Sequence, residues 1–155
     1  MSKFSDEVIR QAGSQLGVTE ATGHNDGPAV ESYLKSVGLG KGYPWCMAFV
    51  YWCVKQAAEK LDVVNPLKCT AGVLDEWESN GGLCIDIPEP GCQFFMHHEK
   101  GYHTGIVTGV FDDGILHTIE GNTNNNGSRE GTSVLRKIRN TKDIFGFKKL
   151  EDKSL

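Results

Sequence analysis

Cys46 is the residue in this sequence best placed for covalent chemistry. It follows Gly42-Tyr43-Pro44-Trp45 and opens an apolar run, Met47-Ala48-Phe49-Val50-Tyr51-Trp52. Pro44 disfavours helical geometry at Tyr43, so a helix starting at or just after Trp45 carries Cys46 in its first turn. There the unpaired N–H groups and the positive end of the helix dipole favour a thiolate, the reactive form of the side chain. The Cys46 N–H is also placed to donate to an oxyanion. The alternative is a small buried hydrophobe, as free cysteines often are, and Cys53, seven residues on, reads that way.

A nucleophilic thiolate needs a base, and the chain has five histidines: His24, His97, His98, His103 and His117. His103 opens an apolar strand, H-T-G-I-V-T-G-V, whose two glycines leave room for a close approach. The other four read as loop, strand-end or mid-strand residues. A catalytic imidazole also needs an orienting acceptor, and Glu120 and Asn122 at the end of the next strand are candidates. With residues 111–114 as the turn, Val110 faces Ile115 and His103 stands opposite Asn122. Glu120 is then the diagonal neighbour on the same face, about 7–8 Å away and reachable by its longer side chain. Distance favours Asn122; a carboxylate better stabilises an imidazolium.

The elements that must position these groups come in two halves. The first half is helical. Helix one is capped at Ser5, with Val8, Ala12 and Leu16 on one face and a stop at Gly17. Helix two starts at Pro28, with Val30, Tyr33, Leu34 and Val37 as its stripe. Helix three runs from about Cys46 to Leu61, apolar nearly all round in its first two turns and therefore buried there. A fourth helix is expected over 70–80, capped by Thr70. After Pro90-Gly91 come short β-type runs at 92–97, 103–111, 115–120, 133–139 and 144–148, with Asp112-Asp113-Gly114 as a hairpin turn and a polar loop at 122–129. Helices first and an antiparallel sheet afterwards define an α+β fold within one domain spanning residues 1–155.

The bulk composition narrows the chemistry. The chain has 155 residues, net charge −4 and 19 glycines, with no Lys/Arg run dense enough to track phosphates, which argues against nucleic acid as a partner. The N-terminus has no apolar signal segment, and the apolar run at 47–54 is too short to span a bilayer, so synthesis in the cytoplasm without membrane insertion is expected. Five cysteines are an odd count and, without a signal peptide, default to reduced thiols. None are spaced as a zinc site, so no metal and no cofactor are expected.

Taken together, Y-P-W-C-M-A-F-V-Y-W-C, H-T-G-I-V-T-G and I-E-G-N-T-N resemble the CHAP domain family. Its members are cysteine- and histidine-dependent amidohydrolases and peptidases related to the NlpC/P60 and papain-like hydrolases. The resemblance runs from about His24 to Phe147. It implies a papain-like fold with Cys46 as nucleophile, His103 as base, Glu120 as orienting residue and Asn122 as a fourth member. Asn25, Tyr43 and Trp45 are carried as substrate-binding or oxyanion residues. Such domains mostly cleave peptidoglycan, as N-acetylmuramoyl-L-alanine amidases or as stem or cross-bridge endopeptidases. A small soluble amide such as glutathionylspermidine, or non-catalytic binding to the wall or a partner, are the alternatives.

The sequence departs from the family pattern in places. Gly91-Cys92 stands where Gly-Asp is common. Residues 38–43 hold no carboxylate, so a calcium loop is not carried over. No SH3-like or LysM-like module follows the last strand. Action at the wall would then need a holin or a secretion machine, and an inhibitor, immunity or delivery partner accompanies that expectation.

Overall fold

The computed structural model describes residues 2–98, 101–123 and 131–151. Four helices come first: α1 (Lys3–Ser14), α2 (Pro28–Ser36), α3 (Cys46–Leu61) and α4 (Val73–Trp77). Six strands follow: β1 (Leu83–Ile85), β2 (Gln93–His98), β3 (Gly101–Val110), β4 (Ile115–Thr123), β5 (Ser133–Asn140) and β6 (Gly146–Lys149). They form one antiparallel sheet in the order β1-β6-β2-β3-β4-β5. The expected α+β architecture is the one observed.

Helix α3 organises the core because it has almost no polar face at its start. Met47, Ala48, Phe49, Val50, Cys53, Val54 and Ala57 are all fully buried. One side packs with Phe4 and Val8 of α1 against Phe95 and Ile106 of the sheet. The other packs with Tyr33 and Leu34 of α2 against Ile119 and Val134. The helix is thus clamped between two helices and the sheet, and its N-terminus is held at a defined place. Gly121 permits the closest approach: a Cβ there would stand 2.8 Å from Phe49 Cβ and 2.8 Å from Trp45 Cζ3. Any side chain at this position pushes the start of α3 off β4.

Several boundaries differ from the sequence reading, each for a local reason. Ser2, not Ser5, caps α1: its Oγ accepts the Ser5 N–H at 3.0 Å, and Ser5 lies buried within the helix. α4 is half as long as expected, because the Thr70 hydroxyl accepts the Gly72 N–H at 3.1 Å and closes a turn instead of capping a helix. β1 was not anticipated; its three residues are too few to show a period. The polar loop at 122–129 lies, from residue 124 on, outside the described residues.

The β3–β4 hairpin sets the register of the site. Val110 pairs with Leu116, one residue further than the expected Ile115, but an irregularity between Val107 and Gly109 absorbs the difference. Val107↔Thr118 and Ile106↔Ile119 then follow, and the same count places His103 level with Asn122. A bulge keeps the upper register although the turn end is shifted.

Candidate active site

Cys46 is the first residue of α3, and Trp45 precedes it in a non-helical conformation. The Trp45 N–H donates to Asn122 Oδ1 at 2.8 Å. The Trp45 indole, fully buried, donates to Glu20 Oε2 at 2.7 Å. Glu20 Oε1 in turn accepts the Asn25 N–H at 3.0 Å, and the Asn25 carbonyl accepts the Gly42 N–H at 2.9 Å. This chain of bonds ties the loop before Cys46 to the sheet. The Trp45 side chain is fully buried and bonded within the protein, and Asn25 joins the loop through its backbone groups. Tyr43 is half-exposed.

Cys46 lies close enough to His103 to raise the pKa of its imidazole. His103 Nε2 lies 2.7 Å from Glu120 Oε1, and a neutral ring that donates through Nε2 leaves Nδ1 unprotonated. All three side chains are buried. Gly105 makes the diagonal His103–Glu120 contact possible: a Cβ there would sit 2.8 Å from Glu120 Cγ and 2.7 Å from Phe94 Cε2. Of the two glycines read as leaving room for a close approach, Gly105 is the one approached by the Glu120 side chain. The other, Gly109, makes way for the Phe111 ring.

Asn122, level with His103, does not bond it. Its backbone is left-handed at φ 56°, within an irregularity of the β4–β5 pairing between Glu120 and Thr123. Asn tolerates that conformation, and the kink turns the side chain to the start of α3. Its amide Nδ2 donates to the Gly131 carbonyl. Asn122 therefore holds the loop before Cys46, while Glu120 takes the place beside the imidazole.

The electrostatics follow from burial and pairing. Burial pulls the His103 pKa down, but hydrogen bonds to Cys46 and Glu120 overcome it and hold the imidazole up at about 9. Burial pushes Glu120 up, and Arg139 and His103 outweigh it, leaving the carboxyl at about 2. Thr118 Oγ1 also donates to Glu120 Oε2 at 2.6 Å. Burial raises the other two inner thiols, Cys53 well above its ordinary value and Cys92 to about 12, so neither is nucleophilic at neutral pH. All five cysteines are free thiols, and no group of three or more metal-ligating side chains occurs among the described residues.

A pH dependence of stability follows, with opposite signs for the two buried partners. The raised His103 pKa contributes stability fully present below pH 6.5 and lost as pH rises through about 9. The depressed Glu120 pKa contributes stability present above pH 4.5 and lost as pH falls through about 2. Urea unfolding is expected to show a plateau between pH 4.5 and 6.5 and a decline toward pH 9. A His103→Gln chain should lack the alkaline decline.

Cys46 opens onto a cleft of about 360 Å³ between the 39–46 segment, α4 and the start of β3. Leu39, Tyr43, Val73, Leu74 and Tyr102 give it apolar walls, and Asp75 places a carboxylate in it. Asn25 does not line it. The α4 wall is anchored from below by Lys148, a fully buried cation whose Nζ donates to the Glu76 carbonyl at 2.6 Å. His98 is the one other histidine near the site, its ring centroid 6.2 Å from that of His103. His97 stacks with Tyr102 and Phe145, His117 with Phe111, and His24 meets the Thr22 hydroxyl in an exposed loop.

The sequence reading missed Arg139, Thr118 and Glu20. Arg139 sits in R-K-I-R-N, a charged stretch indistinguishable in one sequence from a solvated edge strand. Only the pairing Leu116↔Arg139 brings its side chain beside Glu120.

A thiol at a helix start, an imidazole on the facing strand and a carboxylate behind it, on helices followed by an antiparallel sheet, define a papain-like α+β protein. The family model of the CHAP domain matches residues 38–122, more than half the chain, and the chain belongs to that family. No curated protein sequence matches it. Among solved structures it is similar to one described as a wild-type endolysin, LysIME-EF1, with a TM-score of 0.55 and 18% identity. The likeness covers 95% of this chain and 63% of the endolysin chain, so this chain spans less than two thirds of that protein's length.

Proposed function

We propose that the protein is a cysteine amidohydrolase or peptidase that cleaves amide bonds of bacterial peptidoglycan through a thioester. The observation that carries this reading is the buried His103–Glu120 bond of 2.7 Å beside Cys46, which faces an open cleft. CHAP membership and the likeness to a protein described as an endolysin support peptidoglycan as the substrate.

The chemistry follows from the geometry. The Cys46 thiolate attacks the amide carbonyl carbon, and the electron pair moves onto the carbonyl oxygen. The N–H of Cys46, among the first-turn groups that have no partner within the helix, donates to that oxyanion. The Trp45 N–H is not available, being held by Asn122. Tyr43, on the cleft wall, is the side chain assigned to the second donor in this reading. Protonated His103 gives its proton to the leaving amine as the C–N bond breaks. A water then attacks the thioester, His103 takes its proton, and the Cys46 thiolate leaves. Glu120 holds the ring and stabilises its charged form throughout. Asn122 acts as a fourth member by holding Trp45 in place.

The site of action in this reading is the cell wall. No helix of the described residues is long and apolar enough to cross a membrane. The test is digestion of purified sacculi followed by mass spectrometry of the soluble products. New lactyl carboxylates with free L-alanine amines identify an amidase, and new peptide termini identify an endopeptidase. Intact sacculi combined with turnover of small amides such as glutathionylspermidine would overturn the wall substrate.

A further inference from the structure

We propose that Arg139 is a positioning residue of this site, its guanidinium gripping the Glu120 carboxylate in a two-bond fork that aims Oε1 at His103. Arg139 Nε donates to Glu120 Oε2 at 2.8 Å, and Nη2 donates to Oε1 at 2.5 Å. Oε1 also meets His103 Nε2, and Oε2 also takes the Thr118 hydroxyl. A carboxylate alone rotates about its last bond. Fork geometry removes that freedom, because both oxygens are held in the guanidinium plane. Glu120 is fully buried whereas Arg139 reaches the sheet edge with its side chain 20% exposed, so the clamp is applied from β5 across β4 to the base on β3.

The charged and titratable groups around Glu120 are few. Arg139 approaches from β5, with Asp143 acting on it from the turn beyond. His103 approaches from β3, with Cys46 of α3 on its far side and the His98 ring 6.2 Å from its own. Without Arg139 the buried carboxylate keeps only Thr118 and His103. Burial, the strongest influence on it, then favours the protonated form, which no longer supports an imidazolium. The thiolate loses its counter-charge in turn.

The inference rests on the reading of Cys46 and His103 as a reacting pair, but its test needs no substrate. The rate of Cys46 alkylation by iodoacetamide is followed from pH 5 to 9 in the full chain, with each cysteine peptide quantified by mass spectrometry. Protection of Cys53 and Cys92 reports that the fold is intact. Arg139→Met is expected to slow Cys46 alkylation at pH 7 about tenfold and to move its profile about one unit to higher pH. Arg139→Lys, which keeps the charge but not the fork, should fall between the two. A Met variant with the wild-type profile overturns the proposal, as does a Lys variant no better than Met. Should Arg139→Met expose Cys53 and Cys92, the series wild type, Arg139→Lys, Arg139→Gln decides: a graded fall supports the clamp and coincident profiles overturn it. Alkylation of wild-type Cys46 no faster than that of exposed Cys69 and Cys84 would sink the reacting pair itself. Intact sacculi beside a shifted alkylation profile would sink only the wall substrate.

Discussion

Cys46→Ala chains are expected to release no soluble fragments from purified sacculi, a loss of roughly 10⁴-fold or more in rate, while unfolding close to the wild-type temperature. The two halves of this expectation have separate causes. Cys46 carries the only thiol that both meets an imidazole and lines the cleft, so nothing else can form the thioester. Its side chain stands at the mouth of the helix, so truncation leaves a notch at the surface and not a sealed cavity. Cys53→Ala is the matching control. That thiol is fully buried between α3 and its neighbours, so its loss is expected to cost about 1–2 kcal/mol of stability and to leave hydrolysis intact. Activity retained by Cys46→Ala, measured on sacculi, would refute the nucleophile.

Glu120→Ala is expected to damage stability and activity together. Removing the carboxylate leaves Arg139 and protonated His103 as buried or half-buried cations without their shared partner. Breaking a buried pair in this way costs about 3–5 kcal/mol. Thr118 also loses its acceptor. Glu120→Gln separates the two effects. It keeps the volume and an acceptor oxygen, so the fold should largely survive, but a neutral amide no longer stabilises the imidazolium. Hydrolysis is expected to drop by roughly 10²- to 10⁴-fold, in keeping with a triad whose third member loses its charge. Urea unfolding measures the first outcome and sacculus turnover the second. A Gln variant with full activity would show that the charge at position 120 is not used.

The site was partly legible before folding because some of its features are local. Pro44 followed by an apolar run predicts a helix start, and a thiol in the first turn of a helix acquires its setting from the helix alone. That is why Cys46, the 46–61 helix and the hairpin at 112–114 are found where they were read. The partner of His103 is not a local matter. Distance along the expected register favoured Asn122 and chemistry favoured Glu120, and two details that no spacing reports decided between them. One is the left-handed backbone at Asn122, which turns its amide toward Trp45. The other is the missing Cβ at Gly105, which opens the diagonal to Glu120.

What the sequence alone determined is a thiol at the start of a helix, the strand that carries His103, and the order of helices before sheet, because each follows from short-range propensity and periodicity. Only the tertiary structure decided that Glu120 and not Asn122 bonds the imidazole, that Trp45 and Asn25 brace the loop before α3, and that Arg139 reaches Glu120 at all. Those outcomes depend on where β5 pairs and how closely α3 settles on Gly121. Packing across the sheet sets both, over separations at which one sequence carries no signal.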